Sequence, residues 1–288
     1  MVRLNPWRGQ KKPTQDTFSV KFWGVRGSIA CAGAEVQRYG GNTSCLEVMC
    51  SGRRLVLDGG TGIRYLGEHL VAAGEREIDL FLTHTHIDHV VGLPFFSPLF
   101  RDDTTCRIWS GHLEGEMNTH TAIGGFMNAP LFPVPPEIFQ ANVIYNDFEA
   151  GETLEPGSGI TVRTAPLNHP NGATGYRIEH NGQSISYITD TEHLEEGLDQ
   201  AILDLIDKTD IFIYDATYTD EEYPACKGYG HSTWQEGIKL ADAAGVGTFV
   251  AFHHDPSHDD DFMDNVAKDI HAARPGSIVA REGETLFP

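Results

Sequence analysis

The segment Thr83-His84-Thr85-His86-Ile87-Asp88-His89 constrains this chain more than any other feature. It closes residues 78–83, a short apolar run of the kind that forms a buried strand. Residues two apart on an extended segment face the same side, so His84 and His86 can converge on one point. Asp88 and His89 come after the chain turns and can face a second point. Imidazole and carboxylate groups gathered in this way are the usual ligands of zinc, manganese or iron. A lone histidine is most often structural. Three histidines and an aspartate within six residues, at the end of an apolar strand, point to a metal site.

One segment cannot supply a full ligand set. Further candidates stand just past other apolar runs, where a sheet edge would present them to a common cleft. His169 follows Ala165-Pro166-Leu167-Asn168, Asp190 follows the strand 184–188, and His253 and His254 follow the strand 248–252. The first polar position after Phe252 favours His253, with His254 as the alternative. His69 and His271 fall in helical stretches and read as solvated. His112, His120, His180 and His193 have no strand-end placement. His258 with Asp259-Asp260-Asp261 reads as a charged surface turn and helix start.

Residues 18–23, 45–50 and 54–58 read as strands, the last two joined by Ser51-Gly52-Arg53 as a hairpin turn. Residues 63–73 read as a helix stopped by Gly74. Later strands are expected over 160–163, 175–180, 184–188, 211–214 and 248–252, and helices over 198–208, 232–244 and 262–273. Ser232 is expected as the last helix-but-one's N-cap, with Glu236 a turn later. Strands come first as meandering pairs and then alternate with helices. That order predicts an α/β fold, a four-layer αββα sandwich with two packed sheets and helices outside. Residues 1–16 read as a tail, 17–288 as one domain, and 118–136, with four prolines near its end, as a long loop able to close over a ligand.

The formal net charge is -20. Proteins that grip a phosphate backbone usually carry a basic patch. Here Lys11-Lys12 and Arg53-Arg54 are only short pairs. The expectation is therefore a small, anionic substrate and no long nucleic acid, since bound cations would invert the field locally. The five cysteines form no CxxC pair, which argues for free thiols in a reducing compartment. No apolar run is long enough for a membrane helix or a signal peptide, so the reading is cytoplasmic with no membrane partner. Association of two copies is left open.

The whole pattern resembles the metallo-β-lactamase superfamily over roughly residues 18 to 258. H-x-H-x-D-H, His169, Thr189-Asp190-Thr191 and His253 match its ligands in order and spacing. Within it, the chain is most similar to the phosphodiesterase branch that includes the carbon–phosphorus lyase phosphodiesterase and tRNA 3′-processing endonucleases. It also resembles a group described as cyclic-nucleotide phosphodiesterase-like, marked by Trp23-Gly24-Val25-Arg26-Gly27-Ser28, Gly41-Asn42-Thr43-Ser44-Cys45, Asp58-Gly59-Gly60-Thr61-Gly62 and His253-His254-Asp255-Pro256.

The resemblance implies a metallo-β-lactamase-like fold and two divalent ions, zinc by default with manganese or iron as alternatives. It implies His84, His86 and His169 on the first ion, Asp88, His89 and His253 on the second, and Asp190 between them. Asp58 is either a buried residue orienting ligands or a turn residue before Gly59-Gly60. Gly230-His231-Ser232-Thr233 resembles a motif whose histidine sits near the scissile phosphate, and Asp215 resembles its acidic partner. No insert resembling a tRNA-gripping arm is evident, and His86 stands where redox diiron relatives carry glutamate. The expected function is therefore hydrolysis of a small phosphodiester, such as a cyclic nucleotide, by a hydroxide bridging the two ions, with Asp88, His231 and Asp215 as catalytic residues. The alternatives are a thioester, lactone or β-lactam hydrolase, and a metal-binding regulator without turnover.

Overall fold

A computed structural model describes residues 17–113, 115 and 117–288, so the expected N-terminal tail lies outside the described residues. The first half of the chain forms β1 (Phe18–Gly24), β2 (Cys45–Cys50), β3 (Arg53–Leu57), α1 (Ile63–Ala73), β4 (Glu77–Leu82), the short α2 (Ile87–Val90), β5 (Thr105–Ser110), α3 (Thr119–Phe126) and β6 (Asn142–Asp147). The second half forms β7 (Thr153–Gly157), β8 (Ile160–Leu167), β9 (Ala173–His180), β10 (Gln183–Ile188), α4 (Gln200–Ile206), β11 (Ile211–Asp215), α5 (Tyr223–Cys226), α6 (Trp234–Ala243), β12 (Thr248–Phe252), α7 (Asp260–Ala273), β13 (Ile278–Val279) and β14 (Thr285–Leu286).

These strands make two seven-stranded sheets, ordered β14-β1-β2-β3-β4-β5-β6 and β13-β12-β11-β10-β9-β8-β7. Each sheet begins as an antiparallel meander and becomes parallel where helices take over the connections: from β3 onward in the first, and from β10 onward in the second. Short loops can only reverse the chain, whereas parallel neighbours need a crossover, usually helical.

Alternation along the strands divides the core into layers. Leu55 and Leu57 of β3, Ile211 and Ile213 of β11, and Val250 and Phe252 of β12 fill the space between the sheets. Their neighbours point outward. Val56 meets the cluster under α1, while Phe212, Tyr214, Phe249 and Ala251 meet the one under α4, α6 and α7. Fully burying one such side chain contributes roughly 1.5–3 kcal/mol. Helix α1 buries Ile63, Leu66, Gly67 and Leu70, one stripe at helical spacing, and stops at Gly74, whose φ of 82° suits glycine. The result is the expected αββα sandwich.

Three local expectations need correction. The supposed loop 118–136 begins with α3, whose first turn is capped by the Asn118 side chain accepting from the Thr121 N–H at 2.9 Å. Helix α6 is capped by Thr233, not Ser232; the Ser232 hydroxyl instead meets Tyr214 and His193. His258 is buried rather than on a surface turn, with Nε2 at 2.7 Å from Glu222 and its ring stacked on Phe262. Among the described residues, no helix is long and apolar enough to cross a membrane.

Candidate metal centre

The carboxyl ends of strands from both sheets meet at one edge, the usual place for a ligand site in such sheets. Asp58 follows β3, His84 lies two residues past β4, His169 two past β8, Asp190 two past β10, and His253 directly follows β12. Asp215 is the last residue of β11. The short helix α2 turns the chain after His86 and carries Asp88 and His89, the His89 ring ending 4.3 Å from that of His84. Asp58, Asp190 and His253 have φ of 61°, 58° and 63°, in the left-handed region that non-glycine residues seldom occupy.

Among the described residues, four groups have their ligand atoms within 4.8 Å of one another: His84, His86 and His169; Asp88, His89, Asp190 and His253; and two that include His231, with His169 and Asp190 and with Asp215 and His253. The first two share no member. Asp190 stands between them. Its Oδ1 is 3.7 Å from His84 Nε2 and 3.8 Å from His169 Nε2; its Oδ2 is 3.1 Å from His89 Nε2 and 3.3 Å from His253 Nε2. Asp88 Oδ2 lies 3.4 Å from His89 Nε2 and 3.5 Å from His253 Nε2, and accepts from the Ser28 N–H at 2.8 Å. Burial pushes the Asp190 carboxyl up, but His253, His89 and His84 outweigh it and hold it well below its usual range.

Each imidazole is oriented by a partner on its far side. His89 Nδ1–H donates to Asp58 at 2.9 Å, and the same carboxylate accepts from Tyr187 and from the Thr83 backbone and hydroxyl. Asp58 thus acts as the orienting residue and as the residue before the glycine turn at once. His253 Nδ1–H donates to the Thr217 hydroxyl at 3.0 Å, which itself donates a hydrogen bond to Asp215 at 2.7 Å. His169 Nδ1–H donates to the Gly230 carbonyl at 2.8 Å, and His86 Nε2–H to Asn171 Oδ1 at 3.3 Å. A Cβ on Gly27 would meet the His253 ring at 2.4 Å, so only glycine lets that loop close over it.

These far-side bonds leave lone pairs pointing inward. His84 Nε2, His89 Nε2 and His253 Nε2 are buried without a hydrogen-bond partner. His86 Nδ1 and His169 Nε2 face each other at 3.0 Å with their other nitrogens already donating, so two lone pairs confront one another. Buried polar atoms are seldom left unpaired, and a cation in each of the first two groups satisfies all five nitrogens. The residues therefore fit a pair of metal ions. Replacing Asp58 with alanine is expected to free the His89 ring and lower metal affinity roughly 10–100-fold, the usual effect of losing such a partner. Chelator competition measures this, and unchanged affinity would assign Asp58 to the turn alone.

His231 sits beside this pair. Its Nδ1–H donates to Asp215 Oδ2 at 2.9 Å, and its ring stacks on His253 with centroids 4.9 Å apart. Burial lowers its pKa, but the charge and hydrogen bond of Asp215, helped by Asp190 and Asp88, raise it to about 9. Cations alongside act against that rise. Asp215 also accepts from the backbone N–H of Asp190 at 3.0 Å, so one buried carboxylate ties His231 to both sides of the site.

His254 faces the other way. Its Nε2 meets the Ala280 carbonyl at 2.9 Å, and burial lowers its pKa to about 3. His112, discounted from the sequence, does stand two residues past β5. It links Ser110 to Thr85 at 2.9 and 3.1 Å, beneath the loop that carries His84 and His86. His120 packs on Tyr145 in a groove with Pro136, Glu137 and Phe139, away from the metal residues.

The family description "Beta-lactamase superfamily domain" matches residues 53–254, most of the chain and all the candidate metal ligands. The chain belongs to the β-lactamase superfamily. A ribonuclease Z of Bradyrhizobium diazoefficiens is 25% identical over 302 residues, covering 85% of this chain and 92% of that protein. Among solved structures, the human short-form tRNase Z has a TM-score of 0.66 at 18% identity, with 94% and 99% of the two chains covered. A diphosphatase of the PhnP family has a TM-score of 0.67 at 18% identity, with 94% and 98% covered. Within that superfamily the chain is similar over most of its length to relatives named as ribonucleases, and it is a metal-dependent hydrolase.

These relatives overturn one expectation. A small-molecule substrate with long nucleic acid excluded does not stand, because the relatives matched over most of the chain are named ribonucleases. Net charge sums the whole surface, whereas a scissile phosphate meets the field of the site, where bound cations set the sign.

Proposed function

We propose that this superfamily member cleaves a phosphodiester bond in RNA, with a transfer-RNA precursor as substrate class. Two ions, zinc by default, would be held by His84, His86 and His169 and by Asp88, His89 and His253, with Asp190 shared. Such ions generate a nucleophile from water at neutral pH and neutralise phosphoryl oxygens. The observation that carries the reading is the division of the Asp190 carboxylate, one oxygen toward each group of inward-facing imidazoles.

The protein's own groups then have distinct tasks. Asp58, Thr217, Asn171 and the Gly230 carbonyl hold the imidazoles in register. Asp88, fixed by the Ser28 N–H, keeps its second-ion oxygen in place. Asp215 fixes the His231 tautomer, leaving Nε2 to protonate the leaving oxygen as the phosphorus–oxygen bond breaks. The five free cysteines accord with a reducing, cytoplasmic setting.

The test is turnover of the metal-reconstituted protein on a precursor tRNA beside a thioester and a lactone. Cleavage of the RNA with little turnover of the carbonyl esters is the expected result. Turnover of a carbonyl ester with intact RNA would replace this reading with the acyl-hydrolase one, and no turnover on any would favour a regulator.

A further inference from the structure

We propose that Tyr229 is a stacking platform for the nucleobase beside the scissile phosphate; this rests on the RNA reading above and deepens it. The argument starts from charge. RNA affinity normally comes largely from cations on phosphates. Here Arg64, Arg76, Arg101, Arg107, Lys227 and Arg274 each lie within 4 Å of a carboxylate of the protein itself. With these cations, among the described residues, already engaged, a single strand gains from another source of binding. Stacking on aromatic rings supplies one, because every base has a π-face.

Tyr229 is placed for that role. It is 64% exposed, although a tyrosine ring ordinarily gains by burial. It lies two residues before His231, so their α-carbons are at most about 7.6 Å apart. Its backbone is anchored on both sides. The Gly228 N–H donates to both Glu192 oxygens at 2.9 Å, and the Gly230 N–H donates to Glu192 Oε2 at 3.0 Å. The Gly230 carbonyl in turn accepts from His169. Gly228 and Gly230 have φ of 86° and 84°, and a Cβ on Gly230 would come within 2.3 Å of His169 Nδ1. The exposed ring therefore rides on a fixed loop tied to the metal centre, and its ordering on binding costs little. The rest of the rim agrees. Ile87, between two metal residues, is 55% exposed, and Ile29, next to Ser28, is 64% exposed. Exposed apolar side chains thus stand beside residues of the centre on three separate segments.

The experiment is a cycle of protein and substrate changes. Tyr229→Ala and Tyr229→Phe are assayed on RNA carrying a normal or an abasic nucleotide on each side of the cut, with metal content and circular dichroism checked for each variant. Tyr229→Ala is expected to raise KM roughly 5- to 150-fold, which is the ~1–3 kcal/mol of one base stack. Phenylalanine should restore it, and kcat should move far less. On the abasic RNA the alanine change should add nothing further, since one interaction is then removed twice. RNA cleavage with unchanged KM in Tyr229→Ala, or fully additive losses, overturns the stacking role and leaves the RNA reading standing. A wild-type protein that cleaves no RNA overturns that reading, and the platform with it.

Discussion

Replacing Asp190 with alanine should strip both cation pockets at once. Its two oxygens face different imidazole groups, so each pocket loses an anionic ligand. The first pocket would then keep imidazoles alone, and the second would keep Asp88 as its one carboxylate. We expect metal content after reconstitution and desalting to fall from two ions per chain to below one. Hydrolysis should fall by about 10³-fold or more, since the ions supply several kcal/mol and each 1.36 kcal/mol is tenfold. Asp190→Asn, which keeps the shape and removes the charge, should behave similarly. Elemental analysis showing two tightly held ions in either variant would end the idea of a shared carboxylate.

His231→Ala should separate chemistry from metal binding. Nδ1 of His231 is committed to Asp215, so only Nε2 is available to a substrate. A positioned acid contributes ~10²–10⁴-fold when the leaving group is a poor one. Cleavage of an RNA linkage, which expels an alkoxide, should drop by that factor. A p-nitrophenyl diester, whose leaving group needs little protonation, should lose far less. Both ions should remain. His231 also lies within ligand distance of His169 and Asp190, so the alternative has a clear signature: loss of an ion in the alanine variant makes it a ligand, and equal losses on both substrates remove the acid role.

Much of this site was legible because its residues stand at the ends of apolar runs. His84 through His89 share one segment, and His169, Asp190 and His253 each follow a strand whose hydrophobic pattern is plain. Their orienting partners were not legible. Thr217 serves His253 from 36 positions away and Asn171 serves His86 from 85 away, contacts that exist only once the sheets are packed. The strands β5 and β6 were missed for a different reason. β5 alternates buried with partly exposed positions, β6 has only exposed and partly exposed ones, and both carry polar residues, so neither makes a clear apolar run. Helix α3 contains two glycines and owes its start to the Asn118 cap and to Asp147, 28 positions away, weak signals beside the prolines that follow it. The substrate was misjudged because a charge of -20 describes an entire surface, while recognition happens at one edge of it.

The left-handed backbone at Asp58, Asp190 and His253 has an evolutionary corollary. Holding a side-chain-bearing residue in that conformation costs of order 1–3 kcal/mol. Glycine at any of the three would relax the main chain and abolish the group that meets, or orients what meets, a cation. Selection for thermal robustness and selection for turnover therefore pull these same three codons in opposite directions. A lineage released from its substrate would drift toward glycine there first, becoming sturdier as it fell silent.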